Sequence, residues 1–198
     1  MKKYVMAAAL TAGMLYSACA DNKGGASTAS DSASVQTETD GSKVLVAYYS
    51  ATGNTAKAAE EIAKATGGTL YEIEPEQKYS DADLDYENEN SRSAVENKNP
   101  DMRPAIKKGL DVAPYETVYL GFPVWWDKAP LVVNTFLDSY DFSGKKIVVF
   151  ATAHSSGLTP SYEALKATYP SLDLQEGKIL NVTSTDSFNE WVNSMKVK

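Results

Sequence analysis

A chain of 198 residues with a net charge of −7 lacks the basic surplus that nucleic-acid binding demands. Its single cysteine forbids an internal disulfide. One histidine, with no cluster of Cys, His and carboxylate around it, cannot carry a metal site by itself.

Residues 1–20 read as an export signal. Lys2 and Lys3 form the positive start, Tyr4–Tyr16 the apolar core, and Ser17-Ala18-Cys19-Ala20 the small residues of a cleavage site. The apolar run falls short of the ~20 residues that a membrane span needs. LYSAC resembles the lipobox of bacterial lipoproteins, in which the cysteine is lipidated and becomes the new N-terminus. Here Tyr16 rather than Leu15 stands three places before Cys19. Cleavage after Ala20 is the rival, since Ala18-Cys19-Ala20 also satisfies A-x-A. Residues 21–42 hold almost no apolar side chain and read as a disordered tether. Removing Lys2 and Lys3 with residues 1–18 takes the net charge from −7 to −9. The expected location is therefore outside the cytoplasm, periplasmic or on a membrane as a lipoprotein, with the membrane touched only through the lipid on Cys19.

Residues 43–198 remain as one domain of ordinary size. Val44–Tyr49 is a run of β-formers. Asn54–Ala65 is helical, with Ala56, Ala59, Ile62 and Ala63 at helical spacing and Gly67-Gly68 as the stop. Thr69–Ile73 alternates as a second strand. A long excursion, Pro75–Tyr115, follows; part of it (Asp83–Asn97) suits a helix, and Tyr79, Tyr86, Arg92 and Arg103-Pro104 stand out. Long loops in compact domains are often functional, but a solvated excursion is an equal reading. Thr117–Phe122 is a nearly continuous apolar strand, Leu131–Leu137 a helix, Lys146–Ala151 a fourth strand and Ser161–Thr168 a helix ending before Pro170. Gly177–Val182 is a short fifth strand and Ser187–Met195 a final helix. Apolar strands alternating with helices predict a doubly wound parallel sheet, whose ligands sit at the C-terminal strand ends. The loops after Tyr49, Phe122 and Ala151 are the ones to watch.

The first loop, Ser50-Ala51-Thr52-Gly53-Asn54-Thr55, opens a helix. Free amides and the positive end of the helix dipole form an anion site there. Hydroxyls at 50, 52 and 55 can donate to a phosphate, and Gly53 lets the backbone come close. Neither G-x-x-x-x-G-K-[ST] nor G-x-G-x-x-G is present. An ordinary N-cap by Thr52 or Asn54 is the plain alternative. The second loop holds Gly121-Phe122-Pro123-Val124-Trp125-Trp126. Adjacent residues in an extended segment point oppositely, so one tryptophan packs inward and the other faces the crevice, ready to stack on a flat ring. A hydrophobic clamp or partner patch is the alternative. The third loop, Thr152-Ala153-His154-Ser155-Ser156-Gly157, is small and polar. His154 beside Ser155 does not make a hydrolase, because the G-x-S-x-G elbow is missing.

These three loops, in this order, resemble the flavodoxin family over nearly all of residues 43–198. S-A-T-G-N-T matches [ST]-x-T-G-x-T, and G-F-P-V-W-W and F-S-G-K-K-I-V-V-F-A-T add specificity. The resemblance implies five parallel strands in order 2-1-3-4-5 and non-covalently bound FMN. Ser50, Thr52, Gly53, Asn54 and Thr55 would hold the phosphate. Pro123, Val124, Trp125 and Trp126 would border the isoalloxazine. Thr152, Ala153, His154, Ser155, Ser156 and Gly157 would meet its pyrimidine side. Related proteins often have T-S-G-G-S-G in the third loop, so His154 is a departure, placed to donate to the reduced, anionic flavin and raise its potential.

Two redox roles follow. One is an electron carrier whose acidic surface steers basic partners. The other is an FMN-dependent NAD(P)H:quinone-type reductase, with the excursion and His154 building a substrate pocket. A third reading, a lipoprotein that keeps the fold without flavin, fits the intact first loop least. Export tilts the balance toward electron transfer to or from a redox protein or a small quinone-type acceptor, since nicotinamide cofactors are mainly cytoplasmic.

Overall fold

A computed structural model describes residues 43–181 and 190–194. The signal, Cys19 and the tether lie outside the described residues, as do Val182 and the ends of the final helix. Five strands and four helices are defined: β1 (Val44–Tyr48), α1 (Asn54–Thr66), β2 (Thr69–Glu72), α2 (Arg92–Lys98), β3 (Thr117–Pro123), α3 (Leu131–Ser139), β4 (Lys146–Thr152), α4 (Thr159–Thr168) and β5 (Asp173–Ile179). Residues 190–194 are also helical. All strand pairs are parallel, and the sheet order is β2-β1-β3-β4-β5, the order implied by the resemblance.

The period-two alternation of the strands divides the core between the two faces of the sheet. Val46, Tyr48, Tyr119, Val148 and Phe150 pack with Ala58, Ala59 and Ile62 of α1 and with Trp191 and Val192. Leu45, Ala47, Val118, Leu120, Phe122, Ile147 and Val149 pack with Val132, Val133 and Phe136 of α3 and Leu165 of α4. Covered on both faces, β1, β3 and β4 contain the apolar runs that mark parallel strands in the sequence. Gly67, left-handed at φ 66, ends α1 by donating its N–H to Ala63 O.

Several boundaries differ from the sequence reading, among them the helix expected within Asp83–Asn97, which is α2 at Arg92–Lys98, and the starts of α4 and β5. Helix α4 begins two residues early, because Pro160 is tolerated in a first turn, where its missing N–H has no helical acceptor. Strand β5 begins at Asp173 rather than Gly177. Its polar segment Asp173–Glu176 pairs with Lys146–Val149 at the sheet edge, where only Leu174 is buried. Gly177 lies inside the strand where the register shifts, and a Cβ there would stand 2.2 Å from Val149 O. It marks a bulge, not a strand start.

Within 75–115, a single 3₁₀ turn (Ala82–Leu84) and α2 are the regular elements. The base of the excursion is closed by an antiparallel bridge between Pro75 and Ile106, flanked by Glu76 N–H to Ala105 O at 2.9 Å and Lys107 N–H to Glu74 O at 2.8 Å. Ser91 caps α2 by accepting the Ala94 N–H.

Packing also demands a glycine at position 121. A Cβ on Gly121 would lie 2.1 Å from Cζ of Phe150, its register partner on β4. Gly121→Ala is expected to destabilise the domain by ~1–3 kcal/mol through overpacking, read as a lower urea midpoint. An unchanged midpoint would show that the Phe150 ring yields freely.

Candidate functional site

The first loop turns sharply at Gly53, which adopts φ 85 and serves as N-cap of α1 with no side-chain hydrogen bond. Neither Thr52 nor Asn54 caps the helix. The Ser50 hydroxyl instead accepts the Gly53 N–H at 3.1 Å, and Asn54 Nδ2 reaches Thr52 Oγ1 at 3.4 Å. The helical ladder starts with Lys57 N–H to Gly53 O at 3.2 Å. The amides of the first turn have no acceptor within the helix. Thr55 differs from its neighbours. It is buried, and its hydroxyl shares a 2.7 Å hydrogen bond with that of Thr152 at the end of β4. It ties the first loop to the third.

The second loop is a tight reversal. Trp125 and Lys128 exchange N–H to O=C bonds of 2.9 Å, while Trp126 and Asp127 between them have φ 53 and φ 58. Positive φ at both central residues is the signature of a type I′ turn, which costs non-glycine residues energy. The buried Ser161 hydroxyl donates to Asp127 O at 3.1 Å and holds the turn against α4. Val124 N–H donates to Thr152 O at 2.9 Å, so the second and third loops run side by side.

The third loop is clamped by a residue that the sequence did not single out. Asn181 Nδ2 donates to Ala153 O at 2.8 Å, and its Oδ1 accepts the Ala153 N–H at 3.2 Å. The amide thus replaces a strand neighbour just beyond β5.

The loops meet in a cleft of about 580 Å³ lined by Thr52, Asn54, Lys57, Pro123, Val124, Trp125, Thr152, Ala153, His154 and Asn181. Ser50, Gly53 and Thr55 shape its first loop without lining it. Trp126 is 41% exposed and lines a separate small cavity with Glu96, Asn97 and Lys128. Ser155, Ser156 and Gly157 lead on toward α4 and are not among the cleft residues. Lys57 was missed because it lies two residues past the motif, in the first turn of α1, and Asn181 because nothing in its local sequence marks a clamp.

Trp125 is the tryptophan on the cleft. Its indole meets Tyr49 edge-on, with ring centroids 5.5 Å apart, and Tyr79 of the excursion at 5.1 Å. The excursion therefore abuts the site and is not merely solvated.

Residues 43–195 match the family model described as Flavodoxin. The chain belongs to the flavodoxin family. Among solved structures it is similar to a candidate flavoprotein from Bacteroides eggerthii, with 47% identity, 78% of this chain and 98% of that one covered, and a TM-score of 0.75. A second, from Bacteroides uniformis, shows 44% identity, coverage of 78% and 99%, and the same TM-score of 0.75. A flavoprotein in complex with FMN from Lactobacillus acidophilus shares the fold at 21% identity, with 68% and 91% covered and a TM-score of 0.56. No protein of curated function matches the chain. The cofactor of this family is FMN, and the cleft suits it. Its volume falls within the range of ~300–1,000 Å³ typical of small-molecule sites. An uncapped helix start with Lys57 at one end suits a phosphate, and an indole with small polar backbone at the other suits a flat heteroaromatic ring.

Several tyrosines near this site are held protonated. Burial, reinforced by Glu72, pushes the Tyr48 phenol up to about 12. Burial likewise raises Tyr49 and, together with a hydrogen bond to Glu96, Tyr79. In the unfolded chain these groups ionise near ~10. The fold holds their protons more tightly, so their contribution to stability is complete below pH ~10 and is lost as pH rises through the folded values. Resistance to urea is expected to fall between pH ~10 and ~12, with the tyrosinate absorbance of Tyr48, Tyr49 and Tyr79, obtained by difference from their Phe variants, appearing together with unfolding. Tyrosinate formed by these three at pH ~10 in the fully folded protein would contradict it.

Proposed function

We propose that this chain binds FMN non-covalently in the cleft and carries electrons between redox partners outside the cytoplasm. The single observation that carries the reading is the first loop. Its helix start is capped by a glycine with no side-chain bond, while Thr52, Asn54 and Lys57 border the space in front of it. When bound, FMN supplies the redox chemistry, accepting and releasing electrons. The protein's part is to bind, orient and shield it. Thr52 and the first-turn amides would hold the phosphate, with Lys57 giving a counter-charge. Pro123, Val124 and Trp125 form one wall, and Thr152, Ala153 and His154 another. The lipid on Cys19 and the 21–42 tether would keep the domain near a membrane, where a redox protein or a small quinone-type acceptor exchanges electrons with it. The acidic surface favours basic partners.

A direct NAD(P)H:quinone-type reductase is the second reading, favoured by the excursion packed against Trp125 at the cleft. The visible spectrum of the FMN-loaded protein, followed without oxygen as NADH and then NADPH are added, separates the two. A stable oxidised band is the expected result; prompt bleaching would make the protein a reductase. Thr52→Val is expected to weaken FMN binding about tenfold, the scale of one lost hydrogen bond to a charged group, while leaving riboflavin binding and the urea midpoint unchanged. Unaltered FMN affinity would return the loop to a bare helix start.

His154 lines the cleft and is exposed, so its imidazole can donate to a ligand there. A histidine N–H facing the flavin ring would stabilise negative charge there. His154→Ala is expected to lower the flavin midpoint potential, as followed by spectroelectrochemistry. An unchanged potential would remove His154 from the redox site.

A further inference from the structure

Glu96 is a buried acid in a place that needs explaining. Its side chain is 4% exposed, and burying a carboxylate costs free energy unless both oxygens are satisfied. Both are. Oε1 accepts from Arg92 Nε at 2.7 Å, and Oε2 accepts the Tyr79 hydroxyl at 2.6 Å. The Arg92 guanidinium also lies 3.8 Å from the centre of the Tyr79 ring and donates to Gln77 O at 2.8 Å. Tyr79 is thus fixed at its hydroxyl and on one ring face. Its remaining neighbours in the aromatic cluster are Tyr49, at 5.9 Å, and Trp125. Trp125 borders the flavin cleft and also the small cavity of about 30 Å³ lined by Glu96, Asn97 and Trp126.

We propose that the Arg92–Glu96 pair is a positioning device for the flavin site, acting through Tyr79 to hold the Trp125 indole at its angle on the cleft. The inference rests on the FMN reading above and assigns the 75–115 excursion a role as the outer support of the flavin's aromatic wall. The backbone of Trp125 is fixed by its two bonds to Lys128, but these set no side-chain angle, and the indole meets Tyr49 and Tyr79 edge-on. Bracing comes from the side-chain cluster. A flat ring entering the cleft gains most from an indole already held in place, because ordering it on binding would cost affinity.

The test compares Glu96→Ala and Tyr79→Phe with the wild-type protein, titrating FMN and riboflavin by flavin fluorescence. Near-UV circular dichroism of the apo protein is recorded alongside, with Trp125→Ala defining the signal of that indole. Glu96→Ala is expected to weaken both flavins by the same factor, about tenfold at the upper end for a lost aromatic contact, because the ring and not the phosphate is affected. The Trp125 dichroism changes, and Glu96→Ala has no further effect on affinity in the Trp125→Ala background. Tyr79→Phe keeps the ring and removes only the hydroxyl, so it gives the same pattern in a smaller degree and serves if the alanine variant does not fold. Wild-type affinities with an unchanged Trp125 signal would overturn the proposal and leave the pair as a fastener of the excursion. A wild-type protein that binds neither flavin would sink the FMN reading, while the apo dichroism still decides whether Glu96 positions Trp125.

Discussion

The structure depends on the double pairing of β1. Val44–Tyr48 has a parallel neighbour on each side, β2 and β3, and is buried on both faces of the sheet. The chain leaves β1 toward the face covered by α1 and leaves β3 toward the face covered by α3, so a crevice opens between the two strand ends. Everything that handles a ligand hangs from that divergence. The short extension Tyr49 N–H to Gly121 O, 2.9 Å, carries the pairing one residue further and brings the first and second loops together.

Around the crevice, several polar groups join the loops to one another. The Thr55–Thr152 hydroxyl pair joins first loop to third, Val124 to Thr152 joins second to third, and Asn181 clamps Ala153 from beyond β5. Such bonds each contribute modestly, about 1 kcal/mol, but a buried partner left unpaired costs more. The loops are therefore coupled, and a change in one is felt by the others. Among the described residues, positive φ outside glycine is confined to Trp126 and Asp127, where the Ser161 hydroxyl of α4 donates to the Asp127 carbonyl.

The excursion changes the character of the site. A bare doubly wound sheet would leave Trp125 facing solvent on its outer side. Here Tyr79, braced by a buried ion pair, covers it, and Arg103 bonds Asp138 of α3 to fasten the far end. Exposed apolar groups remain on this side, among them Val95, Met102 and Trp126, while Tyr86 stands 74% exposed at the acidic tip.

The parallel sheet and the three loops were legible in the residues, because buried strands are continuously apolar and a hydroxyl-rich turn between strand and helix has few physical uses; the strand order came from the family resemblance that those loops carry. The weak points were local. Strand β5 was misplaced because an edge strand buries only Leu174 and reads as polar, and Gly177 looked like a boundary although it serves a bulge. Which tryptophan faces the cleft could not follow from an adjacent pair; the turn at Trp126-Asp127 decides it. Asn181 with Ala153 and Tyr79 with Glu96 are contacts between segments apart in the chain and carry no local pattern, whereas Arg92 and Glu96 are an i,i+4 pair on α2 whose burial only the fold reveals. The sequence alone thus determined the layers and where a ligand would lie, since periodicity and motif order are properties of neighbours along the chain. Only the tertiary structure decided which side chains meet there, because that depends on distances across the fold, down to the 2.6 Å between the Tyr79 hydroxyl and a buried carboxylate.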